Sequence, residues 1–124
     1  MFDFEKLEIY QFVKQTNLEV LKYIFSGKIK DPYLTEQFKR ATLSVQFNLA
    51  EGTGRFSSQE KKHYFTVSRS AAFECVAILD VLKGLDILDQ KLYDTYYANY
   101  EQISKMLLGS VSYTHLTLPT SDLV

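Results

Sequence analysis

The stretch EGTGR, from Glu51 to Arg55, is the best candidate in this sequence for phosphate chemistry. A dinucleotide fingerprint needs G-x-G-x-x-G directly after a strand, and a P-loop needs G-x-x-x-x-G-K-[ST]. Gly52 and Gly54 have no third glycine and no lysine at those spacings, and they follow a helical pattern. We therefore predict a corner between two helices, in which Gly52 or Gly54 adopts the left-handed conformation that ends a helix and Arg55 is displayed.

Few residues have the spacing of a metal site or of a catalytic nucleophile. A di-iron bundle takes a Glu from each of two helices and a Glu-x-x-His motif from each of the other two. Glu60 and His63 form one such motif, and the second histidine, His115, lies near the C-terminus. Cys75 lies on an apolar helical stripe, where a buried small hydrophobic residue is the default. The sequence predicts no metal, no cofactor, no small-molecule substrate and no enzymatic activity.

The cationic residues are concentrated in the middle of the chain. Residues 28–69 contain eight Lys and Arg against four Asp and Glu, a net charge of +4, while the rest of the chain is at -5. One interpretation is ordinary solvated helix faces, and the other is a basic patch for an anionic partner. The sequence pI of about 6.1 argues against a dedicated nucleic-acid domain, which is usually strongly basic. The candidates for phosphate contacts are Lys39, Arg55, Lys61 and Lys62.

A polar stripe accompanies these cations in the same region. Arg40, Ser44, Asn48 and Glu51 are spaced by four, four and three residues, which places them on one side of a helix. They are either a helix flank whose members hydrogen-bond to their neighbours, or a subunit or ligand contact that ends at Arg55.

The elements that position these residues are helices, because apolar residues recur at intervals of three and four. Four helices with short connections pack as an antiparallel bundle. The predicted fold class is therefore all-α, an antiparallel up-down four-helix bundle over residues 1–110. The four apolar stripes are Leu7, Tyr10, Val13, Val20, Leu21 and Ile24; Leu34, Phe38, Ala41, Val45 and Leu49; Tyr64, Ala71, Cys75, Ile78 and Leu82; and Tyr93, Tyr96, Tyr97, Tyr100, Ile103 and Leu107.

Capping signals separate the four stripes. Proline is favoured at the first helical position, and a serine with a glutamate three residues later forms a capping box. In such a box the serine oxygen accepts from a backbone N–H and the glutamate accepts from the serine N–H. The predicted boundary residues are Gly27, Asp31 with Pro32, Ser57 with Glu60, Gly84 and Asp89.

The composition is that of one globular domain. The 124 residues are 46% hydrophobic and 23% charged, enough for a single core. The longest apolar run, SAAFECVAILDVL, is interrupted by Glu74 and Asp80 and is too short to span a membrane. The N-terminus lacks the pattern of a signal peptide, and one cysteine permits no intrachain disulfide. We expect a cytoplasmic protein.

The central segment QFKRATLSVQFNLAEGTGRFSSQE resembles the signature of a bacterial family, the proteins associated with intervening sequences in 23S rRNA genes. That signature is Q-x-x-R-A-x-x-S-x-x-x-N-[IL]-A-E-G-x-G-R followed by a serine-led helix, and the resemblance covers about residues 4–108. Where family members often have Arg-Gly-Ser, this chain has Arg69, Ser70 and Ala71. The matching residues are Gln37, Arg40, Ala41, Ser44, Asn48, Ala50, Glu51, Gly52, Gly54 and Arg55.

The resemblance implies an up-down four-helix bundle, often assembled into pentameric rings, with no known enzymatic activity. A related branch contains accessory proteins of diversity-generating retroelements, which bind nucleic acid and a reverse transcriptase. Four tyrosines between Tyr93 and Tyr100 favour a homo-oligomer, because tyrosine suits interfaces, although core packing accounts for about half of them.

The last residues follow a different pattern. VSYTHLTLPT, residues 111–120, matches the translation of a common transposon-based sequencing adapter, and Pro119 cannot continue a helix. Residues 111–124 are therefore predicted to be a non-native tail, so that His115 has no functional role.

Two functions remain open at this point. The first is a non-enzymatic oligomeric module that binds RNA or a nucleoprotein through a basic face. The second is a structural or protein-partner scaffold without nucleic-acid affinity, with a role beside a retroelement reverse transcriptase as a further alternative.

Overall fold

The computed structural model describes residues 1–115, and the side chains of residues 1–109. After a 3-10 helix at Asp3–Lys6 come four helices: α1 (Glu8–Phe25), α2 (Pro32–Thr53), α3 (Ser58–Gly84) and α4 (Gln90–His115). Each packs on its neighbours in the sequence, and α4 closes the bundle against α1, with the most extensive packing between α3 and its neighbours α2 and α4. The predicted four-helix fold is confirmed.

Three helices begin where a side chain caps them. Asp31 Oδ2 accepts from the N–H of Leu34 at 2.9 Å, and Asp89 Oδ1 accepts from the N–H of Leu92 at 2.8 Å. Ser57 Oγ accepts from the N–H of Glu60 at 3.0 Å, while the Glu60 carboxylate accepts from the Ser57 hydroxyl. The predicted starts are confirmed. They can be predicted from sequence because a cap depends only on residues three positions apart.

The role predicted for the corner glycines is wrong. Neither Gly52 nor Gly54 has a positive φ, and α2 runs through Gly52 to Thr53. A Cβ on Gly52 would lie 2.7 Å from Cε1 of Phe65 and 3.0 Å from Cβ of Tyr64. Gly52 is therefore required by the close approach of α2 to α3, and its backbone is helical.

Left-handed residues occur at the opposite end of the bundle. Gly27 has a φ of 84° just after α1. After α3 the left-handed residue is Asp86, with a φ of 59°. The N–H of Ile87 donates to the Leu82 carbonyl at 2.9 Å, and that of Asp86 to the Lys83 carbonyl at 3.0 Å, the two bonds of a Schellman motif.

The core combines apolar stripes from all four helices with one polar cluster. The largest fully buried side chains include Phe38, Phe65, Leu49, Leu79 and Ile103. In the side chains that the structure describes, no buried side-chain nitrogen or oxygen lacks a hydrogen-bond partner.

The polar cluster joins the four helices at the centre of this core. Asn17 of α1 donates to the Thr42 carbonyl of α2 at 2.8 Å, and Tyr100 of α4 donates to Asn17 Oδ1 at 3.2 Å. The Thr42 hydroxyl lies 3.9 Å from the Cys75 sulfur of α3. A fully satisfied polar group inside an apolar core favours one register of the helices over others.

The predicted non-native tail lies mostly outside the described residues. The backbone of α4 continues to His115, five residues into that segment. The side chains of residues 111–115 and all of residues 116–124 lie outside the described part of the chain. The assignment of residues 111–124 as non-native remains a prediction.

Candidate interaction surfaces

Arg55 lies at the α2–α3 corner, as predicted, but it is surrounded by anionic and aromatic groups. Its guanidinium hydrogen-bonds to Glu51 Oε1, lies 3.8 Å from Glu60 Oε2, and donates to the Tyr64 hydroxyl at 2.9 Å. It also lies over the Tyr64 ring, 4.7 Å from the centroid. Two carboxylates compensate its charge, so Arg55 mainly holds the corner together.

Lys61 lies in a different position from the one expected for a phosphate contact. It is only 4% exposed, and its ammonium donates to the backbone carbonyls of Thr53 at 3.0 Å and Gly52 at 3.4 Å. Burial lowers the pKa of this ammonium. These carbonyls belong to the last turn of α2, where the helix dipole attracts a cation. Lys61 is therefore a C-terminal cap of α2.

The remaining cations of the predicted patch are distributed along the bundle. Lys39 is half-buried and pairs with Glu36 at 3.4 Å, and Lys62 is exposed near the corner. Lys28 and Lys30 are exposed in the connection that precedes α2. Because α2 has 22 residues, about 33 Å of helix separates that connection from the corner. Lys39, Arg40 and Arg69 lie between these two ends, so the charge of +4 is spread along the molecule and does not form one patch.

The polar stripe of α2 divides into paired and unpaired groups. Asn48 Nδ2 donates to the carbonyl and to the hydroxyl of Ser44, both at 2.9 Å, and Glu51 binds Arg55. Arg40 is exposed and makes no hydrogen bond or ion pair with any residue in the described part of the chain. The expectation that the stripe residues serve one another therefore holds for Ser44, Asn48 and Glu51, and Arg40 is free.

A second row of residues, which was not predicted from the sequence, runs along the outward side of α2. We call it the α2 stripe; it consists of Tyr33, Arg40, Leu43 and Phe47. Tyr33 is 70% exposed and Phe47 is 61% exposed. A shallow groove of about 430 Å³ runs beside Arg40, Leu43 and Phe47. The seven-residue spacing of Tyr33, Arg40 and Phe47 was a detectable signal, out of phase with the core stripe.

A second concave surface lies between α3 and α4. We call it the α3–α4 groove; it encloses about 460 Å³. Phe73 and Tyr97 on it are 50% and 39% exposed. Arg69 lies over the Phe73 ring and donates to the Ser104 carbonyl at 3.1 Å. The groove is also lined by Val76, Tyr100, Glu101 and Lys105.

The tyrosines of α4 divide between the core and the surface. Tyr96 and Tyr100 are buried, whereas Tyr97 is exposed in the α3–α4 groove and Tyr93 is half-buried. The Tyr93 hydroxyl donates to Asp80, and this bond raises the pKa of Tyr93 to about 12. Core packing thus accounts for half of the four, as the spacing predicts.

The groups that could perform metal or thiol chemistry are placed apart from one another. Within the described residues, no three His, Cys, Asp or Glu side chains are close enough together to hold a metal ion. His63 is exposed beside Tyr64, and Cys75 is fully buried. None of the described helices has an apolar stretch long enough to cross a membrane.

Comparison with known proteins gives two matches. The family model described as 23S rRNA-intervening sequence protein matches residues 5–109. The chain is also similar to a solved structure from Bacteroides thetaiotaomicron, with a TM-score of 0.79 and 13% sequence identity. That structure is described as a protein with unknown function from the S23 ribosomal protein family. That alignment covers 83% of this chain and 97% of the other, and it shows the fold alone. No protein of curated function matches.

Proposed function

The chain belongs to the 23S rRNA-intervening sequence protein family, and from this premise we propose that it is a non-enzymatic interaction module that assembles with copies of itself. The observation that carries the proposal is the exposure of Phe47, Phe73 and Tyr97 on outward helix faces. Large aromatic side chains are enriched in interfaces between proteins. The charged side chains at the corner, by contrast, bind one another or cap α2.

The assembly is proposed to be a ring, which the family resemblance suggests is a pentamer. Ring formation requires a contact between two different surfaces on each copy. Light scattering on the full chain across a range of concentrations tests this: a molar mass several times that of one 14.4 kDa chain is expected. A mass of one chain at every concentration would contradict the proposal.

A second candidate function is binding of structured RNA or a nucleoprotein. It is supported by the +4 charge of residues 28–69 and by the exposed cations Arg40 and Lys62. Lys39 and Arg55 contribute less charge than expected because carboxylates compensate both. Weak contacts repeated around an assembly would give a multivalent surface.

An RNA titration across a salt series tests this second candidate. Each phosphate that the protein neutralises releases counterions, so affinity must fall steeply with salt. We expect Lys39→Ala/Lys62→Ala to reduce that salt slope, and Lys14→Ala/Lys91→Ala, which removes the same charge outside residues 28–69, to leave it unchanged. Absence of binding at low salt would leave the scaffold function alone.

The cell compartment in this proposal is the cytoplasm. Its support is the single cysteine, which permits no intrachain disulfide and is buried in the core.

A further inference from the structure

The α2 stripe has the spacing of a helix-packing seam. Tyr33, Arg40 and Phe47 are seven residues apart, and Leu43 falls between the last two, as in a heptad repeat. The inner side of α2 already packs in the core through another set, which includes Phe38, Val45 and Leu49. The helix therefore has a second, outward row that is apolar at Tyr33, Leu43 and Phe47 and charged at Glu36 and Arg40. The rings of Tyr33 and Phe47 in this row are exposed within one chain.

The α3–α4 groove is shaped to receive such a seam. It is concave, it lies between two antiparallel helices, and its edges carry the exposed rings of Phe73 and Tyr97. Its floor includes Val76 and the buried Tyr100. A single helix row that packs into the groove between two helices is the ordinary geometry of helix packing.

One pair of charges on the two surfaces is complementary, although the groove also carries the cations Arg69 and Lys105. Arg40 is an exposed cation in the middle of the α2 stripe without an ion pair, and Glu101 is an exposed carboxylate of the α3–α4 groove that makes no hydrogen bond or ion pair in the described chain. Arg40 and Phe47 are about 10 Å apart along α2, and Tyr97 and Glu101 are about 6 Å apart along α4. The long arginine side chain covers that difference.

A symmetric contact between two α2 stripes is less favourable. The stripe from Tyr33 to Phe47 has its midpoint at Arg40, so a two-fold axis at its centre brings the two guanidinium groups together. Like charges at short distance repel, and the carboxylate nearest to Arg40 on that surface, Glu36, already pairs with Lys39. The charge pattern favours a contact between different surfaces.

We propose that the α2 stripe of one copy docks into the α3–α4 groove of the next copy, with Phe47 between Phe73 and Tyr97 and Arg40 against Glu101. The inference rests on the self-association proposed above and specifies its interface. Because the two surfaces differ, every copy offers one free stripe and one free groove, and the contact repeats head to tail until a ring closes.

Two blocking variants test the head-to-tail geometry. Phe47→Glu disables the stripe and leaves the groove intact, and Phe73→Glu disables the groove and leaves the stripe intact. Each variant alone is expected to be monomeric in light scattering, with association weakened at least about thirtyfold, as for an interface hot spot. An equimolar mixture is expected to form a dimer, because one intact stripe then meets one intact groove.

The matched control is Phe56→Glu, the same change at a fully exposed phenylalanine of the corner that belongs to neither surface. It is expected to assemble like the unchanged protein. Circular dichroism and melting temperature establish that all three variants are folded, which their exposed positions favour.

The outcomes separate the two proposals. If the unchanged protein is monomeric, the proposed self-association itself fails. If it assembles and Phe73→Glu still assembles, or if the mixture forms no dimer, the interface assigned here is wrong and self-association stands. A charge exchange gives a second test: Arg40→Glu and Glu101→Arg each weaken assembly, and the double variant restores it. Failure of that rescue overturns the Arg40–Glu101 contact.

Discussion

The titratable groups buried at the centre of the bundle contact one another. Cys75 lies against the Thr42 hydroxyl, and burial raises the pKa of its thiol from 9.0 to about 12. Burial likewise raises the pKa of Tyr100. In the folded state both groups are therefore protonated at neutral pH, and they serve as hydrogen-bonding members of the core.

The shift at Cys75 predicts an alkaline loss of stability. A folded pKa above the unfolded value means that the contribution is fully present below about pH 9 and is lost as pH rises towards 12. Between pH 8 and pH 10.5 the thiol should remove about 2 kcal/mol from the free energy of unfolding. Urea denaturation at both pH values should show a smaller loss for Cys75→Ala. An equal loss in both proteins would contradict the shift.

Two glycines with open space around the missing Cβ offer a matched comparison. Gly27 has a φ of 84°, whereas Gly84 is the last residue of α3 and helical, and neither has a neighbour within 4 Å of an added Cβ. Gly27→Ala should cost about 1 to 2 kcal/mol of unfolding free energy, the cost of a left-handed L-residue. Gly84→Ala should raise it by up to about 1 kcal/mol. If both substitutions change the free energy of unfolding in the same direction, the left-handed conformation of Gly27 is contradicted.

At the scale of the elements, the starts of the helices are predictable from sequence and the contacts between helices are not. Asp31, Ser57 and Asp89 each cap an N–H three residues away, so the signal is local. The role of Gly52 depends on Phe65, which is thirteen residues further along the chain in another helix. The burial of Lys61 similarly depends on how the end of α2 meets the start of α3.

The close approach at Gly52 gives a sharp test of the α2–α3 packing. Gly52→Ala places a methyl group 2.7 to 2.9 Å from the Phe65 ring, so one helix or the ring must move. We expect a loss of about 1 to 3 kcal/mol in the free energy of unfolding, as for overpacking in a core. Gly54→Ala, whose Cβ would meet only the Glu51 carbonyl at 3.6 Å, should be nearly neutral. Equal effects would show that packing does not fix Gly52.

The capping role of Lys61 is testable by a change that keeps the apolar stem. Lys61→Met leaves the Thr53 carbonyl without its ammonium donor, whereas the Gly52 carbonyl keeps the N–H of Arg55. The free energy of unfolding should fall by about 1 to 3 kcal/mol, the cost of unsatisfied buried polar groups. Lys14→Met, at an exposed lysine of α1, is the control and should change it by no more than about 0.5 kcal/mol. An unchanged free energy of unfolding in Lys61→Met would contradict the capping role.

At the scale of the whole molecule, the net charge is -1, the cations are spread along the bundle, and two outward surfaces expose aromatic rings. The apolar stripes predicted the bundle, and the resemblance carried by QFKRATLSVQFNLAEGTGR predicted the family. The four-helix polar cluster around Asn17 was not predicted, since its members come from positions as far apart as 83 residues. For the same reason, the sequence could not predict which cations lie close together on the surface.

If the protein binds RNA, we expect its affinity to depend on assembly through these surfaces. One chain has a net charge of -1, so binding should depend on several copies that contact one RNA at once. Phe47→Glu, which is expected to be monomeric, should bind structured RNA at low salt at least about tenfold more weakly than the assembled protein. Leu18→Glu adds the same charge at an exposed residue of α1 outside both surfaces, and it should keep both assembly and affinity. Filter binding with light scattering on the same samples measures both quantities. Full affinity in a monomeric Phe47→Glu would place the RNA contact within a single chain and separate it from assembly.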